Sequence, residues 1–483
     1  MRAWNSRSLV VFLSAVALAK LALLVLHGPF TESDAEGYSS YADLILSGGG
    51  WLDSIVFDQG ATPITALRPI GFPALWALMR LIFGHQGGDY GVIVVQIALS
   101  LFATALVYRV AFRLLGVTWM ALLVTAGYGL SIQFLYDLML LTDSVFNSTL
   151  VIIFALPALA VLEAKPVRLR TLAVVSACIL LAQSWRAVLM YLGYSFAPIL
   201  IWWLGRDLRA RWPKMIGRLC AMVLPIVIFL GATVAWNEMR SGYPFVVIGT
   251  TVPIQGMVKA AGRGRAVFDG DTPIDHAAHA ILRQYSYPEV LEIEDAVRRD
   301  TGFNAVEMAR LESALYFRSW AHHPLAMLEV GLNNFSPHIV GQFFDFEDGL
   351  DTSVSIVTTQ HILPPFRALK AGMLKGDAVA IVTLAATGIL RVVSWLLFTL
   401  FALGVPILWL RDAIKKKERT IEISVLAAGW FAFMAYLAPL LLLHFAIRFL
   451  PAVLPWGLIG AVFVARDLWL RMHKRTNPTR MAT

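Results

Sequence analysis

Hydrophobic residues along this chain come in long unbroken runs separated by polar intervals, the pattern of helices that cross a bilayer rather than of alternating strands. A crossing helix needs roughly 20 apolar residues. Runs of that kind lie near 8–27, 91–114, 117–136, 143–163, 171–187, 188–204, 216–236, 388–410, 421–443 and 447–466, and predict about ten membrane-spanning helices. The fifth and sixth are short and have nothing clearly polar between them. The run from Val379 onward is too long for one straight crossing, which predicts a surface or re-entrant helix ahead of Arg391. The first run follows Arg2 and Arg7 like a secretory signal. Ala17-Leu18-Ala19 is a poor cleavage site, however, and the run continues through Lys20 to Leu26, so an uncleaved anchor helix is expected.

Two polar intervals have real length. One is Gly28 to Tyr90; the other runs from Asn237 to about Gly376 and mixes Gly/Pro-rich pieces with helix-like ones. In the second, Ala309 to Phe335 reads as an amphipathic helix pair with apolar Leu311, Leu315 and Phe317. It breaks at His322-His323-Pro324, because proline disfavours helix in the residue before it. A place on the membrane surface is expected for this pair. The chain divides into a membrane module over 1–236 that contains the first loop (28–90), an extracytoplasmic segment over 237–376, and C-terminal membrane helices with a basic tail over 377–483. The expected fold class is an all-α polytopic membrane protein with juxtamembrane helices in its first outer loop.

Composition agrees with this reading. The chain is 58% hydrophobic and 15% charged with a mean hydropathy of +0.68, too little charge to coat a soluble globule of its size. A net charge of +8 could suggest nucleic acid, but the basic residues fall in short intervals between apolar runs. Arg109 and Arg113, Lys165 to Arg170, Arg206 to Arg218, Arg411 to Arg419 and the tail from Arg466 all lie on one side of an even number of spans, the positive-inside arrangement. Both termini are then cytoplasmic and both long intervals outside. Cys178 and Cys220 sit in or beside apolar runs and read as packing residues.

The candidate chemistry gathers at the outer face. Asp34, Glu36, Tyr38 and Asp43 follow the first span, and Arg68-Pro69-Ile70-Gly71-Phe72-Pro73 adds a fixed positive charge between prolines. Asp137 and Asp143 flank the outer turn between spans three and four, Arg186 ends span five, and Arg448 begins the last span beside His444. Ionisable groups at a membrane mouth are functional candidates. Guanidinium pairs bidentately with phosphate and keeps its charge when desolvated, and a carboxylate close by can take a proton from an incoming hydroxyl. Together these groups suit group transfer from a lipid phosphate. Simpler readings stand beside this one: Ser33 and Asp34 suit a helix N-cap, Asp143 can cap span four, and a lone arginine at a span end snorkels to headgroups. His322 and His323 lack a further ligand at metal-binding spacing and read as loop residues.

Four stretches resemble the GT-C superfamily of polytopic glycosyltransferases, especially the bacterial branch similar to the lipid A aminoarabinose transferase and to protein O-mannosyltransferases. They are Asp34-Ala-Glu36-Gly-Tyr38-Ser-Ser-Tyr41-Ala42, Arg68 to Pro73, Leu140-Leu141-Thr142-Asp143, and Arg448-Phe449-Leu450-Pro451. Two departures are evident: the second acid, often adjacent to the first, is displaced to Glu36, and Phe449 stands where tyrosine is common.

The resemblance implies a multi-pass protein of the bacterial inner membrane that takes a sugar from a polyprenyl-phosphate donor outside the membrane. Asp34 would be the catalytic base, and Arg68, Arg186 and Arg448 would bind the donor phosphate. Glu36, Tyr38, Asp143 and His444 would hold the sugar or acceptor or support the site. One displacement inverts the anomeric carbon. The acceptor class stays open among glycan, lipid and protein. A divalent ion bridging Asp34 or Asp143 to the phosphate is the alternative to the arginines, which are favoured for that task. Other readings are a transporter or flippase for a lipid-linked sugar, an O-antigen ligase or polymerase, and a non-catalytic scaffold. Transporters often show internal repeats and midplane sites, neither of which is evident here, and a ligase would carry its critical residues in the large loop.

Overall fold

The computed structural model describes residues 6–31, 33–50, 53–57, 62–164, 169–186, 212–248, 252–284, 290–335, 370, 372–414, 421–442 and 447–476. The described residues are helical or irregular. Their only bridge of the β type, between Phe30 and Met139, is isolated. The protein is an all-α polytopic membrane protein. Five helices among the described residues are long and apolar enough to cross a bilayer, and two shorter apolar helices accompany them.

Helix α1 (Ser6–His27) has 22 residues, about 33 Å of rise, which matches a hydrocarbon core of roughly 30 Å. After it come α2 (Ser33–Leu46) and a single turn at Ile64–Leu67. The next element, α3 (Gly71–Leu115), has 45 residues and is interrupted at Gly84, whose φ of 74° is open to glycine without strain. There the chain folds back on itself. A Cβ on Gly88 would lie 2.6 Å from the backbone of Arg80, and one on Gly91 would lie 3.2 Å from the Met79 sulfur. In a straight helix residues 79 and 91 would be about 18 Å apart. The apolar stretch before Gly84, which the sequence leaves inside the first loop, is therefore one arm of a helical hairpin.

The predicted span near 117–136 consists of α4 (Thr118–Gly129) and a short turn at Gln133–Tyr136. Next come α5 (Thr142–Leu162), α6 (Leu169–Trp185) and α7 (Trp212–Ser241). The interval 188–204 lies outside the described residues. Helix α5 is the axle of the bundle: nearly every residue from Thr142 to Val161 is buried, the polar Asp143, Asn147 and Ser148 of its first turns included. It packs against α3, α6, α14 (Ile421–Leu442) and the 3-10 turn Ile447–Ala452. The remaining long helices are α13 (Ala378–Ile414) and α15 (Leu454–Thr476). Where the sequence suggests a separate surface or re-entrant helix before Arg391, α13 is one continuous helix of 37 residues, about 55 Å long. It exceeds the bilayer core by several turns.

Between α7 and α13 lie α8 (Val252–Ala261), α9 (Pro273–Gln284), α10 (Val290–Thr301), α11 (Ala305–His322) and α12 (Pro324–Phe335). They share a small core of Ile254, Met257, Ile274, Ile293, Met308 and Leu315. Helix α11 starts at a capping box: the Asn304 side chain accepts from the N–H groups of Val306 and Glu307, and Glu307 accepts from the Asn304 N–H. The break before Pro324 falls where the sequence places it. Of the apolar residues expected on one face, Leu315 is buried but Phe317 is 71% exposed.

This segment rests on the first loop. Ile55, Ala66, Ile248, Ala305 and Val306 form one cluster, the Ile248 N–H donates to the Ala66 carbonyl, and Arg240 donates to the Gly50 carbonyl at 2.6 Å. At the opposite end of the bundle Arg109 and Arg113 both pair with Glu163, and Arg411 pairs with Asp412 and Asp467.

Candidate functional site

Helix α2 carries Asp34 and Glu36 in its first turn, where the positive end of the helix dipole favours carboxylates. Asp34 and Tyr38 are four residues apart and share a face. Both meet Arg68. Its guanidinium donates to Asp34 Oδ1 at 2.6 Å and lies 4.9 Å from the centre of the Tyr38 ring. Arg68 is held by the turn before it, its N–H bonded to the Ile64 carbonyl. Burial works against the charge on Arg68, but the neighbouring Tyr38 and Asp34 outweigh it and hold its pKa above the ordinary arginine value. Arg68 and Asp34 are each 29% exposed, so this pair is reachable from outside the protein.

Tyr38 points inward, edge-on to Phe72, and its hydroxyl lies 3.5 Å from that of Thr142. Thr142 opens α5, and the next residue, Asp143, forms an almost fully buried ion pair with Arg186. Arg186 reaches this point because the start of α3 is packed tightly on the end of α6. A Cβ on Gly71 would lie 2.3 Å from the Ser184 hydroxyl and 2.7 Å from its carbonyl, so only glycine fits there. Two Asp–Arg pairs, joined through Tyr38 and Thr142, thus stand at one face of the bundle.

Two further polar sets hold this face in place. Arg80 is buried against Trp76 and donates to Asp43 Oδ1 at 2.6 Å, to Asp89 Oδ1 at 3.2 Å and to the Ser39 hydroxyl at 2.9 Å. It ties α2 to both arms of the helical hairpin. Beneath the site, Lys20 of α1 pairs with Asp137, their side chains 1% and 0% exposed. Asp137 also accepts from Gln133 Nε2 at 2.7 Å and from the Ser144 hydroxyl at 2.6 Å. Gln96 donates to the Met139 carbonyl at 2.7 Å, and the Phe30 N–H to the Leu138 carbonyl at 2.9 Å, so the turn before Thr142 is anchored to α1, α3 and α5.

The sequence places Asp137 at the outer mouth with the other acids. The structure corrects this: its carboxylate turns into the bundle, where it neutralises the buried Lys20. Arg80 and Lys20 do not emerge from the sequence as site residues. The signal was there, a single cation inside each of two apolar runs. Glu36, by contrast, is exposed and forms no ion pair with the described residues. His444 and the side chain of Arg448 lie outside the described residues. Among the described residues no group of three or more His, Cys, Asp or Glu could hold a metal ion.

No protein-family model matches the chain, and no curated protein matches it. Among solved structures it is similar to the crystal structure of the Archaeoglobus fulgidus oligosaccharyltransferase in complex with zinc and sulfate, with 10% identity and a TM-score of 0.45. That likeness covers 96% of this chain and 50% of the other, so the chain spans about half the length of the oligosaccharyltransferase.

Proposed function

We propose that this chain is a GT-C-type glycosyltransferase, which moves a sugar from a polyprenyl-phosphate donor to a hydroxyl acceptor at the outer face of a bacterial cytoplasmic membrane. The observation that carries the reading is the partly exposed Asp34–Arg68 pair joined through Tyr38 and Thr142 to the Asp143–Arg186 pair. A carboxylate and guanidinium groups at one membrane face are what such a transfer needs. The base and the phosphate must be close, yet on opposite sides of the reacting carbon.

In the resting protein Arg68 and Arg186 are each neutralised by an acid. A donor phosphate offers Arg68 a second, bidentate partner, and the engagement of Arg68 with that phosphate releases Asp34 toward the acceptor. Asp34 then takes the hydroxyl proton while the acceptor oxygen bonds to the anomeric carbon. The bond from that carbon to the phosphate oxygen breaks, and the electron pair leaves with the lipid phosphate. Arg68, Arg186 and Arg448 stabilise the charge that grows on the leaving group. A single displacement inverts the carbon. Tyr38 and Asp143 position the two arginines, and Glu36 and His444 are assigned to holding the acceptor or supporting the site.

The test is turnover by the purified chain in proteoliposomes loaded with candidate polyprenyl-phosphate sugars and acceptors. Asp34→Asn should lower the rate by about 10²–10⁴, the usual worth of a general base. Equal turnover in wild type and variant would remove Asp34 from the chemistry. Movement of the lipid-linked sugar between leaflets without bond cleavage would instead assign a transporter.

A further inference from the structure

At the end of the bundle away from Asp34 and Arg68, α1 and α4 leave a groove of about 730 Å³ between them. Its walls are Arg7, Ser8, Val11 and Phe12 from α1 and Trp119, Leu122, Leu123 and Ala126 from α4. Both sets recur at helical spacing, so each is one face of its helix. Phe12 closes the inner end, where its ring would lie 3.5 Å from a Cβ on Gly129. The length from Trp119 to Ala126 is about 10 Å.

The chemistry changes along that length. Inward the groove is wholly apolar, and Val11 and Leu123 remain 69% and 56% exposed on helices that the bilayer surrounds. Hydrocarbon is the medium that covers them. At the rim stand an exposed guanidinium, a hydroxyl and an indole that is 62% exposed, the residue types that meet lipid headgroups. Among the described residues no acid lines the groove, and Arg7 pairs with none of them. A cation above an apolar slot complements one kind of molecule, an anionic head on a hydrocarbon chain.

We propose that this groove holds one anionic phospholipid of the leaflet at the N-terminal end of α1. Its phosphate lies on Arg7, where the planar guanidinium can pair with two phosphate oxygens, and one acyl chain runs along Val11, Phe12, Leu122 and Leu123. Ser8 supplies a second donor at the rim. The lipid wedges between the two helices on the near side of Phe12 and Gly129, and so fastens α1 to the bundle.

Native mass spectrometry of the detergent-purified full-length chain, titrated separately with phosphatidylglycerol and phosphatidylcholine, tests this. An arginine near the surface of an anionic membrane contributes about 1 kcal/mol, so wild type should prefer phosphatidylglycerol by about fivefold. Arg7→Gln should abolish that preference. Val11→Trp, a surface change that fills the slot, should lower occupancy by both lipids. Arg170→Gln, an exposed arginine at the same end of the bundle, should change neither. Equal occupancy by the two lipids in wild type, undiminished phosphatidylglycerol binding by Arg7→Gln, or an equal loss in Arg170→Gln would overturn the proposal. So would binding of glycerol phosphate as tight as that of the whole lipid, since the groove would then contribute nothing.

Discussion

The Lys20–Asp137 pair makes the strongest prediction about what holds this site in place. Both side chains are essentially inaccessible, and Asp137 accepts from Gln133 and Ser144 as well as from Lys20. Lys20→Met leaves a buried carboxylate with two neutral donors, and Asp137→Asn leaves a buried ammonium without its counter-charge, the Phe134 ring 5.1 Å away. Removing one partner of a buried pair costs about 3–5 kcal/mol, because the surviving charge has been taken out of water without compensation. The two single costs would then sum to about 6–10 kcal/mol. In the double variant no uncompensated charge survives, and the amide carbonyl that Asp137→Asn introduces can still accept from Gln133 and Ser144. Its cost should fall to about 1–3 kcal/mol, that of one imperfect buried hydrogen bond. The coupling between the positions should therefore be at least about 3 kcal/mol. Unfolding by sodium dodecyl sulfate in mixed micelles, followed by tryptophan fluorescence, measures all four proteins under one condition. If the double variant is as destabilised as the two singles added together, the pair is not a coupled unit and its role in anchoring the turn before Thr142 falls.

Three further outcomes are expected. Arg80→Ala removes the bonds from α2 to the hairpin arms; because Asp43 is 48% exposed the loss should be about 2–3 kcal/mol, and it should appear as faster hydrogen exchange and proteolysis in the first loop. Gly71→Ala drives a methyl into Ser184 and should cost about 1–3 kcal/mol in thermal unfolding, with Ser184→Gly restoring part of it. In the segment between α7 and α13, burial alone would raise the Asp275 pKa, but bonds from Arg318 and Thr272 outweigh it and hold the carboxyl below the usual range. A depressed carboxyl stabilises the folded state above the unfolded value of about 3.9 and loses that contribution as pH falls through its folded value, so unfolding of wild type should steepen below about pH 4, while Arg318→Gln, which keeps only the Thr272 bonds, should show a smaller loss. An identical acid profile in the two proteins would refute it.

Much of the architecture is legible in the chain alone, because crossing a bilayer is a one-dimensional constraint. A helix that satisfies its own backbone needs only enough apolar length, and seven of the nine expected spans that fall on described residues coincide with a single helix or helical arm. Three departures have local causes. Gly84 reverses a run that hydropathy reads as loop and span, the stretch after Gly129 turns instead of completing a crossing, and α13 passes Arg391 without a break. Hydropathy registers how apolar a residue is, not the backbone angle of one glycine.

For the site, charge type and position along the chain place Asp34, Arg68, Asp143 and Arg186 at one face, since each stands at the end of an apolar run. Sequence does not determine which acid meets which arginine. That depends on distances between helices far apart in the chain, such as the 34 residues between Asp34 and Arg68 or the 117 between Lys20 and Asp137. The sequence determines by itself that the chain is helical, that it crosses a membrane several times, and that Asp34, Arg68, Asp143 and Arg186 stand near one surface. Only the packing of α3 on α6 and of α5 among its neighbours decides that Tyr38 links two ion pairs and that Asp137 faces inward. Hydrophobic length is summed along a single helix, whereas a charge pair forms only where two helices come within a few ångströms.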